Sequence, residues 1–95
     1  MMRTLKGGNM VLKFPTSEVL ETALLKGLES AQGEANTEFL DKFVINHLNL
    51  SDDLINAIRA GNRTELQYRM AWVRTRAKAK GLIERTGTKT WRLKK

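Results

Sequence analysis

NRTELQYRMAWVRTRAKAKGLIERTGTKTWRL, residues 62–93, reads as a long basic helix, a glycine stop and a strand-turn-strand hairpin. Thr64, or Asn62 just before it, supplies a side-chain oxygen for the free N–H groups of a first helical turn, and Gly81 supplies the left-handed residue that commonly ends a helix. The helix is therefore expected over residues 64–80. Leu66, Met70, Val73 and Ala77 recur at spacings of four, three and four, which puts them in one stripe along the axis and marks the core face. Arg63, Gln67, Arg74 and Lys78, with Ala71 and Thr75 beside them, fall on a polar, cationic stripe roughly 100° away by the 3.6-residue period.

A basic helix alone decides little, because Lys and Arg are good helix formers and usually serve only to keep a surface wet. The residues after Gly81 carry more weight. Leu82 and Ile83 begin a strand, Thr86-Gly87-Thr88-Lys89 has turn chemistry, and Thr90-Trp91-Arg92-Leu93 alternates with the two-residue period of a half-buried strand. A long helix running straight into a basic hairpin over residues 82–94 is the ending of a winged helix, in which the helix enters the major groove of DNA and the hairpin rests on the flanking backbone. The fold class expected is mainly α with a small β-hairpin.

The blocks Trp-Val-Arg-Thr from Trp72, Lys-Gly-Leu-Ile-Glu from Lys80 and Thr-Trp-Arg-Leu from Thr90 carry a resemblance to the N-terminal winged-helix domain of Mrr-type restriction endonucleases. Upstream, Leu50-Ser51-Asp52-Asp53-Leu54 and Ala60-Gly61-Asn62-Arg63-Thr64 look like that family's approach to its long helix. The resemblance implies a DNA-reading module of a restriction system. It covers none of the metal-binding carboxylates and lysine of the family's separate nuclease domain, and no Asp or Glu here is followed two residues later by Lys.

Charge is divided within the chain. Residues 1–58 hold five Lys or Arg against eight Asp or Glu, a balance of −3, whereas residues 59–95 hold twelve against two, a balance of +10. General solubility does not require such a division, which predicts a cationic face on a mildly acidic body and a polyanionic partner. Duplex DNA fits. A membrane surface fits less well, because the basic helix has no broad apolar side beyond the stripe its own core consumes.

Ninety-five residues support one small domain. Residues 1–14, with Gly7-Gly8 and little periodicity before Met10, are expected to form a flexible arm ahead of a winged-helix domain over 15–95. No apolar run is long enough to span a bilayer and none resembles an export signal, so a cytoplasmic protein without a membrane partner is expected. Thr16 or Ser17 opens a scaffold helix with Leu20, Ala23, Leu24, Leu28 and Ala31 on its apolar face, ending near Gln32-Gly33. The residues after it are expected to give a minimal first strand. Thr37 is expected to cap a second helix with Phe39 and Phe43 both in the core, and Ser51 a third with Leu54, Ile55 and Ile58 inward and an end at Ala60-Gly61.

Catalysis is not expected. One His and no Cys furnish neither a Ser-His-Asp nor a Cys-His set, and no phosphate loop or His-Glu-x-x-His helix is present. No metal, cofactor or small-molecule substrate is called for, and His47 reads as a helix-end residue. Within the DNA reading, Gln67 is matched to adenine and Arg74 to guanine, Ala71 permits close approach, and Thr75 lies beside them. Arg63, Lys78, Arg85, Lys89 and Arg92 are assigned to phosphates. The competing reading is a protein-interaction or dimerisation module of a phage or mobile-element regulator. Trp72 bears on it: burial is expected for so large a ring, and exposure would instead mark a homodimer interface.

Overall fold

The computed structural model describes residues 14–61 and 63–94. The elements run α1 (Ser17–Ser30), β1 (Glu34–Asn36), α2 (Thr37–Leu48), α3 (Asp52–Asn56), β2 (Ile58–Ala60), β3 (Arg63–Thr64), α4 (Glu65–Ala79), β4 (Ile83–Gly87) and β5 (Thr90–Leu93). The chain is mainly helical, with a small antiparallel sheet ordered β1-β5-β4 and a separate two-stranded ribbon of β2 and β3. The arm expected over residues 1–14 lies outside the described residues except for Phe14, which packs against the core and has the Arg69 guanidinium 4.5 Å above its ring. Asn62, the alternative cap, is also outside them.

Local chemistry fixes the helix ends. Thr16 Oγ1 accepts from Val19 N at 3.2 Å and opens α1, while the end of α1 closes with Gln32 N donating to Glu29 O and Gly33 N donating to Leu28 O. That closure is the Schellman pattern, and Gln32 holds its left-handed residue at φ 63°. The same pattern ends α4, where Gly81 N donates to Lys78 O and Leu82 N to Ala77 O with Gly81 at φ 78°. For α2 the cap is Asn36, not Thr37: Asn36 Oδ1 accepts from Phe39 N at 2.7 Å. Thr37 is otherwise engaged, because its N–H donates to Lys89 O at 2.7 Å and its Oγ1 accepts from Trp91 Nε1 at 3.3 Å. The start of α2 is thereby tied to the tip of the β4–β5 hairpin.

The core stripe of α4, Leu66, Met70, Val73 and Ala77, packs with Leu20, Ala23, Leu24 and Leu28 of α1, Leu40 and Val44 of α2, and Ile83 of β4. Gly27 lets α1 and α2 approach closely, since a Cβ there would stand 3.0 Å from Phe43 Cδ1 and 3.2 Å from Leu40 Cδ2. In the sheet, Ala35 pairs with Trp91 and Trp91 with Arg85 on one face, while Glu34, Arg92 and Glu84 line up on the other.

Two expectations about apolar residues are corrected. The third helix stops at Asn56, and Ile58 is 66% exposed in β2 instead of lying inward; Glu65 N donates to Ala57 O at 2.8 Å, so the chain extends there to meet the start of α4. Phe39 is 42% exposed, because the α1 contact of α2 is taken by Leu40, Phe43 and Val44. It begins a stack along α2 in which Phe39 and Phe43 rings lie 6.4 Å apart and Phe43 and His47 5.4 Å apart.

Candidate nucleic-acid interface

The start of α4 is held by a reciprocal pair of hydrogen bonds. Thr64 Oγ1 accepts from Gln67 N at 3.1 Å, and Gln67 Oε1 accepts from Thr64 N at 3.0 Å, a capping box that closes two otherwise open donors. Gln67 is exposed, but its carbonyl oxygen is committed to the cap. Bidentate pairing with adenine uses both the oxygen and the nitrogen of the amide, so it would require that bond to break. The amide N–H2 group is left as a donor.

Arg74 requires a larger correction. Assigned from the helical period to the outward stripe, it is only 8% exposed, and its Nη1 donates to Asp41 Oδ1 of α2 at 3.0 Å. The period puts it about 80° from Leu66, at the margin of the core stripe, and the packing of α2 along that margin covers it. Burial pushes the Asp41 carboxyl above the usual carboxylate range, with the charge and hydrogen bond of Arg74 pulling the other way without overcoming it. Arg74 is thus a strut between α2 and α4 and presents no free fork to a base.

Arg92 is corrected in the same sense. Its Nε donates to Glu84 Oε2 at 2.9 Å and its Nη2 bonds the same oxygen, while Glu34 faces it across β1. The Glu84 hydrogen bond and charge hold the Arg92 guanidinium above its ordinary range, and Arg92 holds the Glu84 carboxyl below its own. Together with Glu34 and Glu84 it borders a depression on the sheet face, separate from the α4 surface.

The remaining assigned cations all reach solvent, and of these Arg63 and Lys89 share one cleft with Gln67. Arg63, Lys78, Arg85 and Lys89 are exposed and make no ion pair among the described residues, in contrast to Lys42 with Glu38, Arg69 with Glu65 and Lys80 with Glu21. An open cleft of about 880 Å3 lies between the first turns of α2 and α4 and the hairpin tip, with Arg63, Gln67, Lys89 and Thr37 on its walls and the Asp41–Arg74 pair among its lining. Lys89 is held at the rim by its left-handed conformation, φ 58°, and by the bond from Thr37 N to its carbonyl. Beyond Gln67 the outer side of α4 continues through half-buried Ala71 and exposed Thr75, whose Oγ1 is turned back to Ala71 O at 3.1 Å, to Lys78.

Trp72, expected to be buried, is 54% exposed. Among the described residues its ring contact is with Tyr68 one turn earlier, in an edge arrangement with centroids 6.5 Å apart. The two rings, with Arg63, Ala71 and Thr75, line a second, shallower depression of about 220 Å3. Because Arg74 faces inward, the exposed arc of α4 centres on Tyr68 and Thr75, and Trp72 lies within about 60° of Thr75 by the helical period. The helical period already puts Trp72 about 120° from Leu66, off the core stripe, and burial is expected only because large rings are seldom free.

Among the described residues, no helix is long and apolar enough to cross a membrane. Comparison with known protein families, curated proteins and solved structures found no match.

Proposed function

We propose that this chain is a winged-helix module that binds double-stranded DNA without acting on it catalytically, with α4 in the major groove and the β4–β5 hairpin against the backbone. The order of helices ahead of a hairpin, with β1 beside β5 in the sheet β1-β5-β4, is compatible with a winged-helix layout. The resemblance of residues 72–93 to the recognition domain of Mrr-type restriction systems points the same way. The observation that carries the reading is a set of exposed cations without an ion pair among the described residues, Arg63 just ahead of α4, Lys78 in its last turn, and Arg85 and Lys89 on the hairpin, to which Arg76 and Lys94 add two more that the reading does not use. Ionic groups left unpaired at the surface make a favourable counterpart to phosphate, where their binding releases condensed counterions.

In this reading Arg63, Lys78, Arg85 and Lys89 hold phosphates and set the register. Base edges meet the Gln67 amide donor, Ala71 and Thr75. With neither Arg74 nor a bidentate Gln67 available, sequence discrimination is modest, and affinity rests mostly on the backbone. Four phosphate contacts give a slope of about −3.6 for log affinity against log salt. Fluorescence anisotropy of a labelled random-sequence duplex, titrated at several salt concentrations, measures it. An affinity independent of salt, or one unchanged in an Arg63→Ala/Lys89→Ala double variant, removes the reading.

The exposed Trp72 favours a second reading, in which this surface is a protein-interaction or homodimer interface. Sedimentation of the free protein tests it: a dimer that dissociates on Trp72→Ala, together with no affinity for DNA, would replace the first reading by the second.

A further inference from the structure

The depression around Trp72 carries an inference that rests on the DNA-binding reading and refines it. Trp72 stands half-exposed on the solvent arc of a 15-residue helix, supported edge-on by Tyr68 and bordered by the guanidinium-bearing Arg63 and the small residues Ala71 and Thr75. Its neighbourhood is cationic. Glu65 is the only acid in α4, and its Oε2 is bound by Arg69 Nε at 2.7 Å, whereas Arg63, which lines the depression with the ring, has no acidic partner among the described residues. An accessible indole face beside an unpaired cation is the combination that stacks an unpaired base while the adjoining backbone is held electrostatically.

We propose that Trp72 takes an unpaired nucleobase, so that this module favours DNA in which a single strand adjoins the duplex over uninterrupted duplex. Inside a regular duplex no base face is open and every base is paired, so away from its two ends the indole meets only a groove wall. A second copy of the chain fits the patch less well. Two such surfaces brought together across a twofold axis would bring Arg63 of one copy towards Arg63 of the other, a like-charge arrangement that opposes association. Fully buried aromatic rings cover about 150–250 Å2 each, so two part-covered rings supply only a fraction of the roughly 800 Å2 per partner that a stable dimer uses.

The test compares a blunt duplex with the same duplex bearing a short single-stranded overhang, by anisotropy at one fixed salt concentration, for the parent chain and for Trp72→Ala and Trp72→Phe. The parent should prefer the overhang by about five- to a hundredfold, the worth of one base–aromatic stack. Trp72→Ala should lose that preference while keeping its affinity for the blunt duplex, and Trp72→Phe should keep most of both. An NMR titration supplies an independent readout, because the chain has two indole N–H groups: that of Trp91 is bonded to Thr37, and only that of Trp72 should move on overhang binding. Binding to blunt duplex with no preference for the overhang overturns this inference and leaves the DNA reading standing. No binding to either DNA overturns both. Dimerisation lost in Trp72→Ala, with no overhang preference in the parent, assigns the patch to a second copy.

Discussion

Replacing Arg74 separates a residue that supports the fold from one that reads DNA. Its Nη1 lies 3.0 Å from Asp41 Oδ1, with side-chain exposures of 10% and 21%, so the pair is largely withdrawn from water. Removing one partner of a buried pair typically costs about 3–5 kcal/mol, because the other charge is left uncompensated. Two features reduce that figure here. Asp41 retains some access to solvent, and its carboxyl already sits above the usual carboxylate range, so it can accept a proton when Arg74 is gone. Loss of the aliphatic stem beneath α2 adds back part of the cost. Arg74→Ala is expected to destabilise by about 2–4 kcal/mol, a fall in Tm of roughly 8–30 °C for a domain of this size. Arg74→Met/Asp41→Leu, which refills the space with apolar groups, should recover most of it. The assay is thermal and urea unfolding followed by circular dichroism, with the affinity of each variant for duplex DNA measured well below its Tm. An Arg74→Ala protein with parental Tm and sharply weakened DNA affinity would refute the strut assignment and return Arg74 to the base-reading surface.

Individual contacts set the other expected outcomes. Thr64→Ala removes the oxygen that accepts from Gln67 N and should cost about 1 kcal/mol by urea unfolding, whereas an unchanged midpoint would mean that the capping box is not holding the start of α4. Gly27→Ala gains helix propensity but presses a methyl against Phe43 and the fully buried Leu40; overpacking should win by about 1 kcal/mol, and a more stable variant would show that the α1–α2 contact can relax. In a carboxyl NMR titration Asp41 should titrate above 3.8 and Glu84 below 4.5. The signs are opposite for stability. Glu84 contributes stability above its unfolded value that is lost as pH falls through its folded one, while Asp41, raised by burial, makes folding less favourable as pH climbs from 3.8 through its folded value. Arg92→Ala should abolish the Glu84 displacement and leave Asp41 where it was, since the two pairs share no member.

What the chain's own order of residues determined is everything set by near neighbours. The hydroxyl at Thr16, the glycine at Gly81, the apolar stripe from Leu66 to Ala77 and the alternation of Thr90–Leu93 each act within a few residues, and α1, α4 and the hairpin lie where those signals put them. The division of charge was equally legible, as were Arg63, Lys78, Arg85 and Lys89 as outward cations. Tertiary structure alone decided which part of α4 remains open. A helical period fixes the angle between two side chains on one helix but not how wide an arc the neighbours cover, and that arc depends on Asp41, thirty-three residues upstream, arriving beside Arg74. The same nonlocal packing drew Arg74 inward and, among the described residues, left Trp72 54% exposed, whereas the Arg92–Glu84 bond followed from the register of the hairpin itself. Local sequence can specify a residue's position on its element, whereas its contact with solvent is settled by residues that are distant along the chain and adjacent only after folding.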